Sequence, residues 1–342
     1  MSEPAADLDR PAVGQLVRRA GRADPIELVP LPGGKNNRVF QVRLADGSSL
    51  VLKSYFSHPH DTRDRLGAEW AFLTYAWGRG VRSIPEPLAS DRDRRLGLYA
   101  HLPGRKIEPG AVRPGHVEAA LDFVLAINAP PRADAAALPA ASEACFSVAA
   151  HLATVDRRVR LLASLDPEAP LRAEADQFVA ARLAPAWDRV RTRVAAFAAR
   201  DAGSLEKPIV PEATIVSPSD FGFHNALLEG SRLGFLDFEY AGRDDPAKLV
   251  CDFFCQPEIP VPVTLFPRAV ERIVTGLGLP DLHRERCAAL LDVYRIKWVC
   301  IILNQFLPVG AARRSFATSE ARAARCAEQL AKAAAKLDDV ES

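Results

Sequence analysis

The sequence predicts an α+β fold with two lobes, in which a small antiparallel sheet precedes a larger and mainly helical region. Three observations predict it. Before about residue 104, short alternating apolar segments are separated by turn residues, which is typical of strands. After about Ile107, long segments with helical apolar spacing dominate. Three further strand-like segments lie between the third and fourth of these helices, so the helical region contains a β-hairpin system.

Residues 1–22 are predicted to form an N-terminal helical extension, because apolar residues recur with helical spacing from Pro11 to Ala20. Residues 23–104 are predicted to form the first lobe. Its helix is predicted over Thr62–Gly78, where apolar residues again recur on one face. Its strands are predicted at Ile26–Val29, Val39–Leu44, Leu50–Tyr55, Ile84–Leu88 and Arg95–His101.

Residues 105–342 are predicted to form the helical second lobe. Helical spacing predicts helices at His116–Asn128, Ser142–Leu165, Leu171–Ala199, Pro267–Gly276, His283–Phe306 and Ser315–Leu337. The embedded strands are predicted at Ala213–Val216, Ala226–Leu228 and Leu233–Leu236. The segment Glu229–Arg232 between the last two has the composition of a turn. This lobe should therefore carry a small β platform among its helices.

The composition argues against several classes of protein. A formal net charge of +1 argues against nucleic-acid or membrane-surface binding through bulk electrostatics. No apolar run approaches the ~20 residues of a membrane span. The N-terminus has no signal-peptide core, so the cytoplasm is the expected location. The six cysteines are scattered, and Cys251 and Cys255 have no second ligand pair that would complete a metal site.

The segment Ile215–Glu239 contains the strongest candidates for catalysis. Asp220 and Asn225 are separated by four residues, and Asp237 ends a short apolar run. Phosphoryl transfer needs one carboxylate to orient the attacking hydroxyl, and an amide oxygen with a second carboxylate to hold Mg²⁺. The flanking strands would place all three side chains at the mouth of one hairpin system. The alternative interpretation is a pair of polar turns beside a sheet.

Two features upstream would complete a nucleotide site. Gly33 and Gly34 lie in a hairpin between two predicted strands, where backbone N–H groups could approach phosphates closely. Lys53 lies within an apolar strand, where a buried ammonium group needs a partner. Glu69 on the following helix could supply one and place the ammonium over the α- and β-phosphates. A plain turn and an exposed lysine are the alternatives.

Together, these segments resemble the aminoglycoside phosphotransferase and choline kinase-like family, which has the protein-kinase-like fold. Gly33 to Val42 resembles its nucleotide loop and includes Asn37 as a nucleotide-binding position. Val51-Leu52-Lys53 resembles its lysine strand, and Glu69 resembles the helix partner. Leu98 to Gly104 resembles its hinge, with Ala100 and Leu102 beside the nucleotide.

The resemblance implies an ATP- and Mg²⁺-dependent phosphotransferase that transfers the γ-phosphate to a hydroxyl group of a small molecule. Asp220 corresponds to the catalytic base, and Asn225 and Asp237 correspond to the metal ligands. Glu239 matches an acidic position common in these kinases and is a candidate acceptor-site residue. Pro218 stands where the family usually has a histidine. A non-catalytic, nucleotide-binding pseudokinase is therefore the alternative function.

The acceptor is expected to bind the helical lobe, as in the family. Lys297 and Trp298 are candidate acceptor-site residues, because they interrupt an otherwise apolar helix. A surface stripe containing Lys297, with Trp298 in the core, is an equally open interpretation. Arg295 and Lys297 would repel a polycation, so the expected partner is a small polar metabolite or sugar and not an aminoglycoside.

Overall fold

The structure is a computed structural model that describes residues 8–31, 37–57, 61, 63–130, 133–201, 204–308 and 319–341. The chain forms two compact units, one of Met1–Ser142 with Ile215–Arg243 and one of Glu143–Thr214 with Asp244–Ser342. The predicted α+β class is confirmed, because a five-stranded antiparallel sheet is followed mainly by helices. The predicted boundaries of an N-terminal extension and two lobes stay predictions.

The first unit begins with a helix and a five-stranded sheet. Every pair of neighbouring strands is antiparallel, and the strand order is β1-β2-β3-β5-β4. The elements are α1 (Arg10–Arg19), β1 (Pro25–Leu31), β2 (Arg38–Leu44), β3 (Ser49–Ser54), α2 (Arg65–Gly78), β4 (Pro87–Asp91) and β5 (Leu96–Ala100). The sequence predicted each of these elements, with ends that differ by a few residues.

The core of this sheet is filled by alternate residues of its strands. Val42, Leu44 and Leu52 are buried on one face, as the period of two predicts. Helix α1 covers that face with an apolar stripe that includes Leu16 and Val17. Its first turn is capped by the side chain of Asp9, which accepts a hydrogen bond from the backbone of Ala12 at 3.1 Å.

The rest of the first unit holds a helix and short strands. These are β6 (Arg105–Lys106), α3 (Pro114–Ile127), β7 (Ile215–Ser217), β8 (Ala226–Glu229), β9 (Arg232–Phe235) and β10 (Gly242–Asp244), whose last residue belongs to the second unit. Strands β6, β8 and β9 form a three-stranded sheet in that order, and β7 pairs with β10. The predicted hairpin system is therefore present.

The second unit is helical. Its α-helices are α4 (Val148–Leu161), α5 (Arg172–Phe178), α6 (Ala184–Asp201), α7 (Pro246–Cys255), α8 (Phe266–Gly276), α9 (Leu282–Ile302) and α10 (Ser319–Glu341). The predicted helix Leu171–Ala199 is divided by a π-helical turn at Val179–Leu183. Pro185 lies two residues after this turn and has no N–H to donate to it, which explains the wider turn. None of the helices in the described ranges is long and apolar enough to span a membrane.

Candidate active site

Lys53 joins two carboxylates in the first unit. Its Nζ lies 2.8 Å from Oε1 of Glu69 and 3.0 Å from Oδ1 of Asp237. Lys53 comes from β3, Glu69 from α2, and Asp237 from the irregular segment that follows β9. The predicted pair of Lys53 and Glu69 is present in the structure, and its phosphate-binding role stays a prediction. The contact with Asp237 connects this pair to the predicted metal site.

The charges of this group depend on one another. Burial alone lowers the pKa of Lys53, but the carboxylates of Glu69 and Asp237 outweigh that effect and raise it. Burial raises the pKa of Glu69, while Lys53 favours its ionised form. Because the ammonium contacts both carboxylates, a protonated lysine beside an ionised Glu69 fits the geometry. Removing Lys53 would leave the buried Glu69 without a cation, whereas removing Glu69 would leave Lys53 with Asp237 as its carboxylate partner.

Two tyrosines lie beside Glu69 and are linked to it by hydrogen bonds. The hydroxyl of Tyr55 donates to Oε2 of Glu69 at 2.6 Å and lies 2.7 Å from the hydroxyl of Tyr99. Neither tyrosine was predicted from the sequence. A signal was available for Tyr55, which is two residues beyond Lys53 in extended chain and so projects to the same side. Tyr99 required knowledge of how β3 pairs with β5.

The loop between β7 and β8 carries Asp220 and Asn225. The amide Nδ2 of Asn225 donates to the backbone oxygen of Asp220 at 3.1 Å. This hydrogen bond holds the amide in the loop and does not use Oδ1 of Asn225. His224 lies beside them, with Nε2 3.3 Å from Oδ1 of Asp220. Ser219 precedes Asp220 with φ of 67°, in the sparsely populated left-handed region. Asp237 has the same φ, so both predicted catalytic segments hold strained backbone, which is typical of functional sites.

A buried phenylalanine follows each of the two aspartates. Phe221 follows Asp220, and its ring centroid lies 5.7 Å from that of Phe123 in α3. Phe238 follows Asp237 and stacks on Phe72 of α2 at 4.5 Å. Each partly exposed carboxylate is therefore adjacent in the chain to a ring that packs in the core. The packing of the two rings was not predicted from the sequence.

Asn225 and Asp237 are the residues that could hold a divalent cation. Both offer oxygen atoms, which Mg²⁺ prefers, and the side chain of Asp237 is 42% exposed. Protein sites for Mg²⁺ commonly use one or two such groups, with phosphates and water completing the shell. The described part of the chain contains no group of three or more His, Cys, Asp or Glu residues arranged to hold a metal. An Asn–Asp pair with phosphate oxygens fits the donor set.

Asn37 and Glu239 contact each other. Nδ2 of Asn37 donates to Oε2 of Glu239 at 2.6 Å, and Nε of Arg65 lies 3.3 Å from the same oxygen. Oδ1 of Asn37 accepts a hydrogen bond from the backbone of Phe56 at 3.1 Å. Glu239 is buried and thus joins the strand end at Asn37 to the segment after Asp237. The ligand-binding roles of Asn37 and Glu239 stay predictions.

The predicted hinge follows β5. Ala100 closes that strand, and its backbone N–H donates to the carbonyl of Glu86 at 2.9 Å. Leu102 lies against Gly234 of β9, where a Cβ atom would collide with the leucine side chain. Gly234 therefore permits the hinge to approach the β platform closely. The predicted nucleotide-loop residues Gly33 and Gly34 lie outside the described residues.

The predicted acceptor residues belong to the second unit. Nζ of Lys297 lies 2.8 Å from both oxygens of Asp252, and the indole Nε1 of Trp298 donates to Oδ1 of Asp252 at 3.0 Å. Lys297 is buried, whereas Trp298 is partly exposed. Arg295 contacts Asp292 at 2.8 Å. The two cations thus have carboxylate partners, which removes the basis of the electrostatic argument against a polycationic acceptor.

The second unit contains further charged side chains in its core. Lys248 lies 2.9 Å from Asp244, and both are buried. Asp245 contacts Nε2 of His151 at 3.1 Å and the guanidinium of Arg286 at 2.6 Å. We call these residues, with Asp252 and Lys297, the buried ion-pair cluster. Only Lys297 among them was singled out from the sequence, as a candidate acceptor residue. The i,i+4 spacing of Lys248 from Asp244 and Asp252 could have indicated those pairs, whereas the pairs between α4, α7 and α9 depend on tertiary packing.

Comparison with known proteins identifies the relatives of this chain. The model of the phosphotransferase enzyme family matches residues 27–290, which is most of the chain. A sequence comparison with curated proteins finds no match. The family match includes every site residue described above except Lys297 and Trp298, which lie beyond its end.

Solved structures match nearly the whole chain. A macrolide 2'-phosphotransferase from Brachybacterium faecium is 20% identical, with 93% of this chain and 97% of that chain covered and a TM-score of 0.55. A choline/ethanolamine kinase family protein from Mesorhizobium loti is 19% identical, with 98% of both chains covered and a TM-score of 0.57. An amicoumacin kinase in complex with AMP-PNP, Ca²⁺ and Ami is 15% identical, with 98% and 95% covered and a TM-score of 0.56. These similarities confirm the predicted protein-kinase-like fold.

Proposed function

The chain belongs to the phosphotransferase enzyme family, and from this premise we propose that it transfers the γ-phosphate of ATP to a hydroxyl group of a small molecule. The observation that carries the proposal is the contact of Lys53 with both Glu69 and Asp237. It joins a phosphate-binding cation to a carboxylate suited to a divalent metal.

In the proposed reaction, Asp220 orients the acceptor hydroxyl and accepts its proton. The acceptor oxygen bonds to the γ-phosphorus while the bond from that phosphorus to the bridging oxygen breaks, and ADP leaves. His224 supports this role, because its Nε2 lies 3.3 Å from Oδ1 of Asp220 and can limit rotation of the carboxylate. The side chain of Asp220 is 38% exposed, so a substrate can approach it.

Lys53 would hold the α- and β-phosphates while Glu69 balances its charge. Asn225 and Asp237 would hold Mg²⁺, which would neutralise charge on the phosphate oxygens. The presence of AMP-PNP and Ca²⁺ in the amicoumacin kinase supports a nucleotide and a divalent cation here. Ala100 and Leu102, with the glycine-rich segment at Gly33 and Gly34, are proposed to hold the rest of the nucleotide.

Trp298 is the better supported of the proposed acceptor residues, because its ring is partly exposed. Lys297 engages both oxygens of Asp252, so its charge is balanced before any acceptor arrives. The named substrates of the similar structures include macrolides and Ami, which supports a small molecule without selecting one. Amino alcohols, sugars, nucleosides, macrolides and aminoglycosides are all candidates to be tested.

A coupled assay of ADP release over these compound classes tests the proposal. We expect at least one acceptor to raise ADP release in a Mg²⁺-dependent manner. Asp237→Ala should remove the Mg²⁺ dependence of nucleotide binding in calorimetry. Unchanged Mg-ATP affinity in that variant would show that the metal assignment is wrong.

A non-catalytic, nucleotide-binding pseudokinase is the second candidate, and Pro218 in place of the family's usual histidine favours it. The two functions differ in one measurement. A pseudokinase binds Mg-ATP but releases no ADP, with or without any acceptor. The retention of Lys53, Asp220, Asn225 and Asp237 favours the enzyme, because each has a separate role in transfer.

A further inference from the structure

The proposed reaction leaves the two tyrosines beside Glu69 without a role. Tyr55 and Tyr99 are 6% and 2% exposed, and their hydroxyl groups meet deep in the first unit. Burying a hydroxyl group costs free energy unless it forms a hydrogen bond. A phenylalanine at either position would fill nearly the same volume without that requirement. The two hydroxyl groups therefore indicate a functional role beside Glu69.

The direction of the hydrogen bonds follows from the chemistry of the three groups. An ionised carboxylate only accepts, so Tyr55 must donate its single proton to Oε2 of Glu69. Tyr55 then has no proton for Tyr99, and Tyr99 must donate to the oxygen of Tyr55. The result is a chain of two donors that ends on the carboxylate. Burial raises the pKa of both tyrosines, so both hydroxyl groups keep their protons.

The sheet makes room for this chain. Gly97 lies directly opposite Lys53 in the pairing of β3 with β5, and Tyr99 follows two residues later. A Cβ atom on Gly97 would collide with the ring and hydroxyl of Tyr99. The glycine therefore allows the tyrosine to lie back over its own strand and reach Tyr55. The ring of Trp70 from α2 packs beside the ring of Tyr99, with 6.1 Å between the ring centroids.

We propose that Tyr55 and Tyr99 are positioning residues for the triphosphate, and that they act by holding the Glu69 carboxylate. The inference rests on the proposed function. In the structure, Lys53 contacts Glu69 and Asp237 together. Binding of phosphate to Lys53 and of a metal to Asp237 would separate these two side chains. Lys53 would then lose one of its two carboxylate contacts. Tyr55 does not contact a ligand in this scheme, so its bond keeps Glu69 in place throughout.

The test measures the Kd of two probes, Mg-AMP-PNP and adenosine, by calorimetry with the full chain. Tyr55→Phe should weaken Mg-AMP-PNP binding about tenfold, the lower range for a hydrogen bond to a charged group, and should leave adenosine binding unchanged. Tyr99→Phe should weaken it about twofold to threefold, because Tyr55 keeps its own bond to Glu69. Tyr75→Phe is the matched control, since its hydroxyl donates to Ile127 and does not contact Glu69; it should change neither Kd.

A double-mutant cycle with Glu69→Leu, which has no atom that accepts a hydrogen bond from Tyr55, separates positioning from packing. If Tyr55 acts through Glu69, Tyr55→Phe should weaken Mg-AMP-PNP binding less than twofold in the Glu69→Leu background. An equal effect in both backgrounds, an equal effect on adenosine, or an effect no larger than that of Tyr75→Phe would overturn the inference. If Tyr55→Phe does not fold, Tyr99→Phe carries the same comparison. Failure of the unmodified protein to bind Mg-AMP-PNP would instead contradict the proposed function.

Discussion

The two compact units both contain paired charges, but they differ in how much of each charge remains accessible. In the first unit, Asp220 and Asp237 are 38% and 42% exposed, although Glu69 behind them is almost fully buried. In the second unit, Asp244 and Asp245 are completely enclosed, and Lys248 is 3% exposed. The same residue types therefore occupy two different environments.

This difference separates groups that can react from groups that hold the fold. An exposed carboxylate can exchange a protein contact for a substrate or a metal at little cost. A buried ion pair cannot exchange partners, because each charge depends on the other for compensation. We therefore expect substitutions of Asp220 to change activity alone, and substitutions in the buried ion-pair cluster to change stability first.

The largest expected effect is on turnover. Asp220→Asn keeps the size of the side chain but removes the carboxylate proposed to accept the hydroxyl proton, so ADP release with an active acceptor should fall roughly 10²- to 10⁴-fold. Mg-AMP-PNP affinity and the unfolding temperature should remain as in the unmodified protein. Asp93→Asn, in an exposed turn, is the matched control and should retain full turnover. Retained turnover in Asp220→Asn would remove this residue from the mechanism.

The second effect is on stability. Lys248→Met leaves Asp244 buried without its partner, so the free energy of unfolding should fall by about 3–5 kcal/mol. Urea denaturation measures this change. Lys332→Met on the exposed side of α10 is the control and should cost less than about 1 kcal/mol. A small loss in Lys248→Met would show that water or a rearranged neighbour compensates Asp244, and would weaken the contrast between the units.

The sequence indicated one of the contacts within the candidate site and missed the others. Lys53 and Glu69 could be paired because a lysine within an apolar strand requires a partner, and the next helix offered one. The contact of Lys53 with Asp237 spans 184 residues and depends on tertiary packing, so no local pattern announces it. The same limit hid the pairing of Lys297 with Asp252, which the structure places 2.8 Å apart.

The secondary structure of the first sheet was easier to predict than the contacts of the site. Strand and helix periods are local, so the elements of the first sheet could be read with small errors at their ends. Pro185 interrupts the helical pattern that predicted one long helix over Leu171–Ala199, and the structure contains a π-helical turn just before it. Pro185 was visible in the sequence, but a proline can kink a helix, end it or widen one of its turns, and the sequence did not indicate which would occur.

The third prediction concerns pH and the buried ion-pair cluster. Burial alone lowers the pKa of His151, but the hydrogen bond to Asp245 and the neighbouring Cys145 raise it to about 9, above its ordinary 6.5. A raised pKa in the folded state stabilises the protein fully below pH 6.5, and this contribution is lost as the pH rises through 9. It amounts to about 3 kcal/mol, at about 1.4 kcal/mol for each pH unit between the two values.

Urea unfolding at pH 6 and pH 9.5 tests the direction. The unmodified protein should be less stable at the higher pH, and His151→Gln should lose the part of that dependence that comes from His151. Buried thiols such as Cys251 and Cys287, whose pKa is raised by burial, contribute to the remainder. Stability that rises with pH over this interval would contradict a charged, buried His151. Exposed pairs such as Arg182 with Asp338 should add little to the difference, because water screens them.

The smallest effect is expected at Trp298, a residue that is partly buried and partly exposed. Its indole N–H donates to the buried Asp252, while part of its ring is exposed. Trp298→Phe keeps an aromatic ring but removes the donor, so the free energy of unfolding should fall by about 1 kcal/mol. If Trp298 also binds the acceptor, its KM should rise while the KM for ATP stays constant. An unchanged acceptor KM, with the loss of stability present, would assign Trp298 to the fold and leave the acceptor site to other residues.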